Sequence, residues 1–122
     1  MKNSLFNFQK FKESFIYAWG GIWALLKKEQ NLWIIAAMAM AVIIFSWLIG
    51  LNAVEKAIIV FTCTAVFGAE ILNTALELVS DKFHLEDSAD IKVIKDVMAG
   101  FVLIWAIASV VIGILIFWPY LF

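Results

Sequence analysis

The chain contains no arginine, and only one cysteine, one proline and one histidine in 122 residues. Without arginine there is no planar fork to grip phosphate bidentately, so anion recognition falls to lysine, backbone N–H groups or a metal. Nine lysines against ten acids leave a formal charge of −1, which offers no basic surface for nucleic acid. Cys63 alone cannot form an internal disulfide and argues against a thiolate metal centre. Charge of either sign is scarce: 16% of residues are charged and 65% are hydrophobic. That balance excludes an ordinary water-soluble domain and points to an integral membrane protein. The N-terminal stretch also lacks the compact apolar core of a cleavable signal peptide, because Lys2, Lys10, Glu13 and Lys27 interrupt it. The first span is therefore expected to stay in the protein.

What the chain does have is long apolar runs. Residues 32–51 hold no charge over 20 positions, enough at about 1.5 Å per residue to cross a hydrocarbon core of about 30 Å. A second run starts at Ala57 and a third fills residues 97–122. The expected architecture is all-α, one membrane domain over residues 1–122, with spans at about 32–51, 57–79 and 97–118. Ahead of them, over residues 5–28, Phe8, Phe11, Phe15, Trp19, Ile22 and Leu25 recur at helical spacing with lysines off that stripe. This predicts an amphipathic helix lying at the membrane surface, either as an anchor or as the roof of a site. Eight of the nine lysines flank the two ends that share one side of this layout, and Lys56 alone falls on the other. The positive-inside rule then puts the N-terminus in the cytoplasm and the C-terminus outside.

Between Ser80 and Asp96 runs the one sustained polar stretch, SDKFHLEDSADIKVIKD. Asp87 or Ser88 is suited to cap the helix that returns to the membrane. Lys92, Lys95 and Asp96 then share a face just beneath it. His84 reads as a loop side chain, and Gly100 and Gly113 as positions for close helix contact.

The second span carries the anomaly. At about 100° per residue, Glu70, Asn73, Glu77 and Asp81 fall within an arc of roughly 80°, along some 16 Å of axis. The charge-free part before Glu70 is 13 residues long, too short to span, so Glu70 must lie in or at the edge of the hydrocarbon. An ionised side chain there costs roughly 2.5–3.5 kcal/mol by insertion scales unless a partner, a cation or a raised pKa relieves it. Three roles would justify that cost. The groups could hydrogen-bond helices into an oligomer, relay protons or cations, or form an interfacial enzyme site. The relay is disfavoured, because the first and third spans carry no acid or base to continue it outward. In the enzyme, one carboxylate would take a proton from a lipid hydroxyl while others hold a divalent cation with a nucleotide's phosphates.

The stretch EILNTALELVSD, residues 70–81, resembles the Glu-x-x-Asn-[Ser/Thr]-Ala-x-Glu-x-x-x-Asp motif of the small prokaryotic diacylglycerol kinase family, which includes the undecaprenol kinases of Gram-positive bacteria. A second family-like pair, Lys95 and Asp96, follows at the expected separation, and FKESFIYAWGGI with KKEQNLW resembles the family's surface helix and its exit. The resemblance implies a bacterial inner-membrane lipid kinase with its active site on the cytoplasmic side. It would transfer the γ-phosphoryl group of ATP, with Mg²⁺, to a membrane lipid alcohol. Diacylglycerol, giving phosphatidic acid, is the leading acceptor and undecaprenol the alternative. It further implies that Glu70 is the catalytic base and that Glu29 and Glu77 are Mg²⁺ carboxylates. Tyr17, Asn73, Asp81, Lys95 and Asp96 would line the nucleotide and phosphate site, which a homotrimer shares between protomers. Trp33 stands where the family usually has a basic residue, Ile35 where it is often polar, and Ser88 where histidine is common.

Overall fold

A computed structural model describes residues 5–85 and 87–122, which form four helices and divide into two units, residues 1–30 and 31–122. The N-terminal unit is a single helix, α1 (Phe8–Lys28). Asn7 caps it by accepting the Lys10 N–H at 3.1 Å, and Lys27 and Lys28 sit in the last turn, where cations favour the helix dipole. Phe11 and Phe15, one turn apart, meet edge to face at 5.0 Å. The helix continues through Gly20 and Gly21 and ends where Glu29 becomes extended.

The larger unit holds α2 (Gln30–Leu48), α3 (Ala53–Lys82) and α4 (Ala89–Leu121), each long and apolar enough to cross a membrane. At 30 and 33 residues, α3 and α4 are about 45 and 50 Å long, so their ends extend beyond a hydrocarbon core of about 30 Å. They pack extensively along each other. Contacts from α2 include Phe45 against Phe117 at 5.6 Å and the approach of Cys63 to the Ala39 carbonyl. The buried side chains are few and mostly small: Ser46, Thr62, Ala69, Thr74 and Ser80, with Leu32, Leu51 and Ile59. Small residues let helix backbones approach closely where water supplies no driving force. The Ser46 and Thr62 hydroxyls donate to carbonyls of their own helices, Ile43 at 2.6 Å and Ile58 at 2.7 Å. Large apolar side chains such as Trp33, Met38, Ile104, Val110 and Leu115 face outward, as lipid-facing positions should and a water-facing surface could not.

Both turns between these helices use the same device. After α2, Gly50 takes φ +79°, its N–H reaches the Trp47 carbonyl and the Leu51 N–H reaches that of Ser46. After α3, His84 takes φ +53°, its N–H reaches the Asp81 carbonyl and the Leu85 N–H that of Ser80. Each is a Schellman closure with a leucine just beyond it. His84 thus has a backbone role that its reading as a loop side chain did not contain. Gly50→Ala is expected to lower stability by about 1–2 kcal/mol, read as a lower thermal midpoint in micelles. No neighbouring atom obstructs a Cβ there, so the left-handed backbone alone sets the cost.

Helix starts also differ from the apolar runs. Asn52 accepts the Glu55 N–H at 2.8 Å while Glu55 accepts that of Asn52 at 3.1 Å, a reciprocal box that starts α3 at Ala53 although the apolar run begins only at Ala57. Ser88 caps α4 through the Ile91 N–H. Among the described residues no close contact forms at Gly100 or Gly113, since a Cβ at either would meet nothing within 4 Å.

Candidate active site

The polar stripe occupies the last three turns of α3. Ala69 and Ser80 are buried on one flank of the polar stripe and Thr74 on the other, so packing fixes the rotation of α3. Glu70 and Asn73 are half-buried, while Glu77 and Asp81, nearer the helix end, are exposed. The stripe therefore runs from half-buried to exposed along one face. One turn separates Asn73 from Glu77, and the Asn73 amide donates to Glu77 Oε1 at 3.3 Å. That contact orients the carboxylate and keeps the amide oxygen beside it.

On the first turns of α4, Lys92 reaches Asp96 at 2.7 Å. Both side chains are largely exposed, so this i,i+4 pair adds only a few tenths of a kcal/mol. Its effect is to direct the Asp96 carboxylate along the helix. Lys95, on the adjacent position, is half-buried and pairs with no carboxylate among the described residues. Tyr17 and Glu29 belong to the N-terminal unit. Tyr17 is exposed on α1, and Glu29 closes that helix with its N–H on the Leu25 carbonyl at 2.9 Å.

Among the described residues, no three His, Cys, Asp or Glu side chains gather closely enough to hold a metal. The donor chemistry still suits Mg²⁺, a hard cation that keeps several waters and takes one or two carboxylates plus substrate phosphates. Glu77, exposed and steadied by Asn73, meets that requirement without a closed cage. Sequence reasoning missed Ser80, whose hydroxyl is buried with no hydrogen-bond partner. A serine inside a polar motif gives no sign of which way it turns.

Against known proteins, the family model described as prokaryotic diacylglycerol kinase matches residues 16–117, most of the chain. The chain belongs to the prokaryotic diacylglycerol kinase family. It is 40% identical over 114 residues to an undecaprenol kinase of Bacillus subtilis (strain 168), covering 90% of this chain and 89% of that protein. It is 38% identical over 101 residues to a diacylglycerol kinase of Synechocystis sp. (strain ATCC 27184 / PCC 6803 / Kazusa), covering 82% of this chain but 58% of the relative. No solved structure shows a significant match. A member of this family is a membrane lipid kinase, with a lipid as acceptor and ATP as phosphoryl donor. Ser88 is the N-cap of α4, and Trp33 lies outward on α2.

Proposed function

We propose that this kinase transfers the γ-phosphoryl group of Mg-ATP to the terminal hydroxyl of a membrane lipid alcohol, with Glu70 as general base. The observation that carries this is the course of the α3 stripe, half-buried at Glu70 and exposed at Glu77 and Asp81. A lipid hydroxyl arrives from the membrane and a nucleotide from water, and this is where the two can meet. Glu70 takes the hydroxyl proton as the alcohol oxygen attacks the γ-phosphorus. The bond to the β,γ-bridging oxygen breaks, and ADP leaves with that electron pair. Glu29 and Glu77 would hold Mg²⁺, which when bound neutralises charge on the transferring phosphoryl group and its leaving oxygen. Lys95 adds positive charge, and Asn73, Asp81, Asp96 and Tyr17 position the nucleotide. Phosphoryl transfer needs little covalent chemistry from the protein, so positioning and charge carry most of the rate.

The amphipathic character of residues 8–28 supports placing α1 at the membrane surface, and the lysine distribution supports a cytoplasmic site. A homotrimer with sites shared between protomers follows from the family resemblance.

Undecaprenol is the acceptor that the similarity favours, because the undecaprenol kinase is matched along 89% of its length. Diacylglycerol is the second reading, supported by the Synechocystis relative and the family description. Radiolabelled ATP, Mg²⁺ and both alcohols offered in competition in mixed micelles should give kcat/KM at least roughly tenfold higher for undecaprenol, within the discrimination that pocket fit supplies. Preference for diacylglycerol selects the second reading. Labelling of neither lipid rejects the kinase assignment.

A further inference from the structure

At the end of α3 opposite the polar stripe, Trp47 of α2 and one face of α3 border a shallow, open apolar groove of about 630 Å³, lined by Trp47, Lys56, Ala57, Val60, Phe61 and Thr64. Its centre lies roughly 120° around α3 from the Glu70 face, and Lys56 is about 32 Å along the axis from Glu77. It is therefore separate from the proposed active site. The Thr64 hydroxyl donates to the Val60 carbonyl at 2.8 Å, which leaves the walls apolar. The one charge in the groove is Lys56, half-buried, with its ammonium 5.0 Å from the centroid of the Trp47 ring. No carboxylate lies within ion-pair distance of it among the described residues. Its neighbour Glu55 is turned the other way, with Oε1 accepting from the Tyr120 hydroxyl at 2.5 Å and from the Asn52 N–H at 3.1 Å.

From this arrangement we infer that the groove is a binding site for an anionic phospholipid, with the phosphate on Lys56 beside Trp47 and an acyl chain along Val60, Phe61 and Thr64. Charge decides between this occupant and a second copy of the chain. Glu55 is the one acidic side chain at this end, and its hydrogen bonds turn it toward α4. A second protomer seated in the groove would bury the Lys56 ammonium unless its own Glu55 turned away from Tyr120 to pair it, and either change is costly in a membrane. A phospholipid supplies both the anion and the apolar tail, and lysine with tryptophan at a groove mouth suits the headgroup level. This inference goes beyond the kinase reading and does not depend on it.

The test is native mass spectrometry of the full chain released from micelles containing phosphatidylglycerol and phosphatidylcholine in equal amount. Wild type should retain phosphatidylglycerol in preference. Lys56→Gln should lower that retention by about fivefold, the value of one lysine near an anionic lipid surface. Lys56→Arg should keep it. Equal retention of the two lipids, or undiminished retention in Lys56→Gln, overturns the site. A change in oligomeric mass in Lys56→Gln without loss of bound lipid also overturns it, since the groove would then be a contact between protomers. The readout needs no turnover, so a failed kinase assay leaves it standing.

Discussion

Replacing Glu70 with glutamine is expected to reduce turnover by about 10²–10⁴-fold, the range that a positioned general base supplies. That range corresponds to roughly 3–5 kcal/mol of barrier, at 1.36 kcal/mol for each factor of ten. Glutamine keeps the shape and hydrogen-bonding reach of the side chain but cannot accept the hydroxyl proton. The half-buried position beside buried Ala69 makes the result diagnostic. If Glu70 were there for helix packing, the variant would lose stability or change its oligomeric state while any activity scaled with the folded fraction. If it is the base, glutamine keeps the shape and hydrogen-bonding reach of the side chain, so the thermal midpoint stays near wild type and turnover falls. Measuring kcat with the preferred lipid, nucleotide binding by fluorescence titration and the thermal midpoint on one preparation separates the two. Retained turnover rejects the base assignment.

The spans of α2 and α4 were legible because each carries an uninterrupted apolar run long enough to cross a bilayer, and that property is local, whereas α3 has only 13 charge-free residues before Glu70 and reads as a span only if the polar stripe is counted with it. The Glu70, Asn73, Glu77 and Asp81 stripe was equally legible, since helical periodicity alone sets it, and the Asn73 to Glu77 contact follows from an i,i+4 spacing. Helix ends were less so. An apolar run says where hydrocarbon begins, whereas α3 starts four residues earlier because Asn52 and Glu55 satisfy each other's N–H groups. The end of α3 depends on His84 adopting a left-handed backbone, a role that glycine would have advertised and histidine does not. Least legible was the Tyr120 to Glu55 hydrogen bond, which joins residues 65 positions apart. No periodicity carries that distance. The same limit applies to the candidate site, because Glu29 and Tyr17 precede the first span and Lys95 follows the second. Their roles came from resemblance and not from spacing.

Glu77→Gln should act differently from Glu70→Gln, and the difference is the sharpest test of how the stripe divides its work. Glu77 is exposed and receives the Asn73 amide on Oε1, which leaves its other oxygen available to a hard cation. An amide in its place retains one neutral oxygen donor and removes the negative charge. Changes one shell further out already cost typically 10–100-fold in metal affinity. The Mg²⁺ concentration for half-maximal activity should therefore rise at least about tenfold, with turnover partly restored as Mg²⁺ is raised further. Glu29→Gln should show the same rescue if it is the second carboxylate. Asn73→Ala should shift the Mg²⁺ requirement in the same direction but less, because it frees the Glu77 carboxylate to rotate without removing its charge. Glu70→Gln, by contrast, should gain nothing from added Mg²⁺, since a missing proton acceptor is not replaced by a cation. A Mg²⁺ titration of Glu77→Gln that overlays wild type would remove Glu77 from the metal site, and rescue of Glu70→Gln by Mg²⁺ would exchange the two roles.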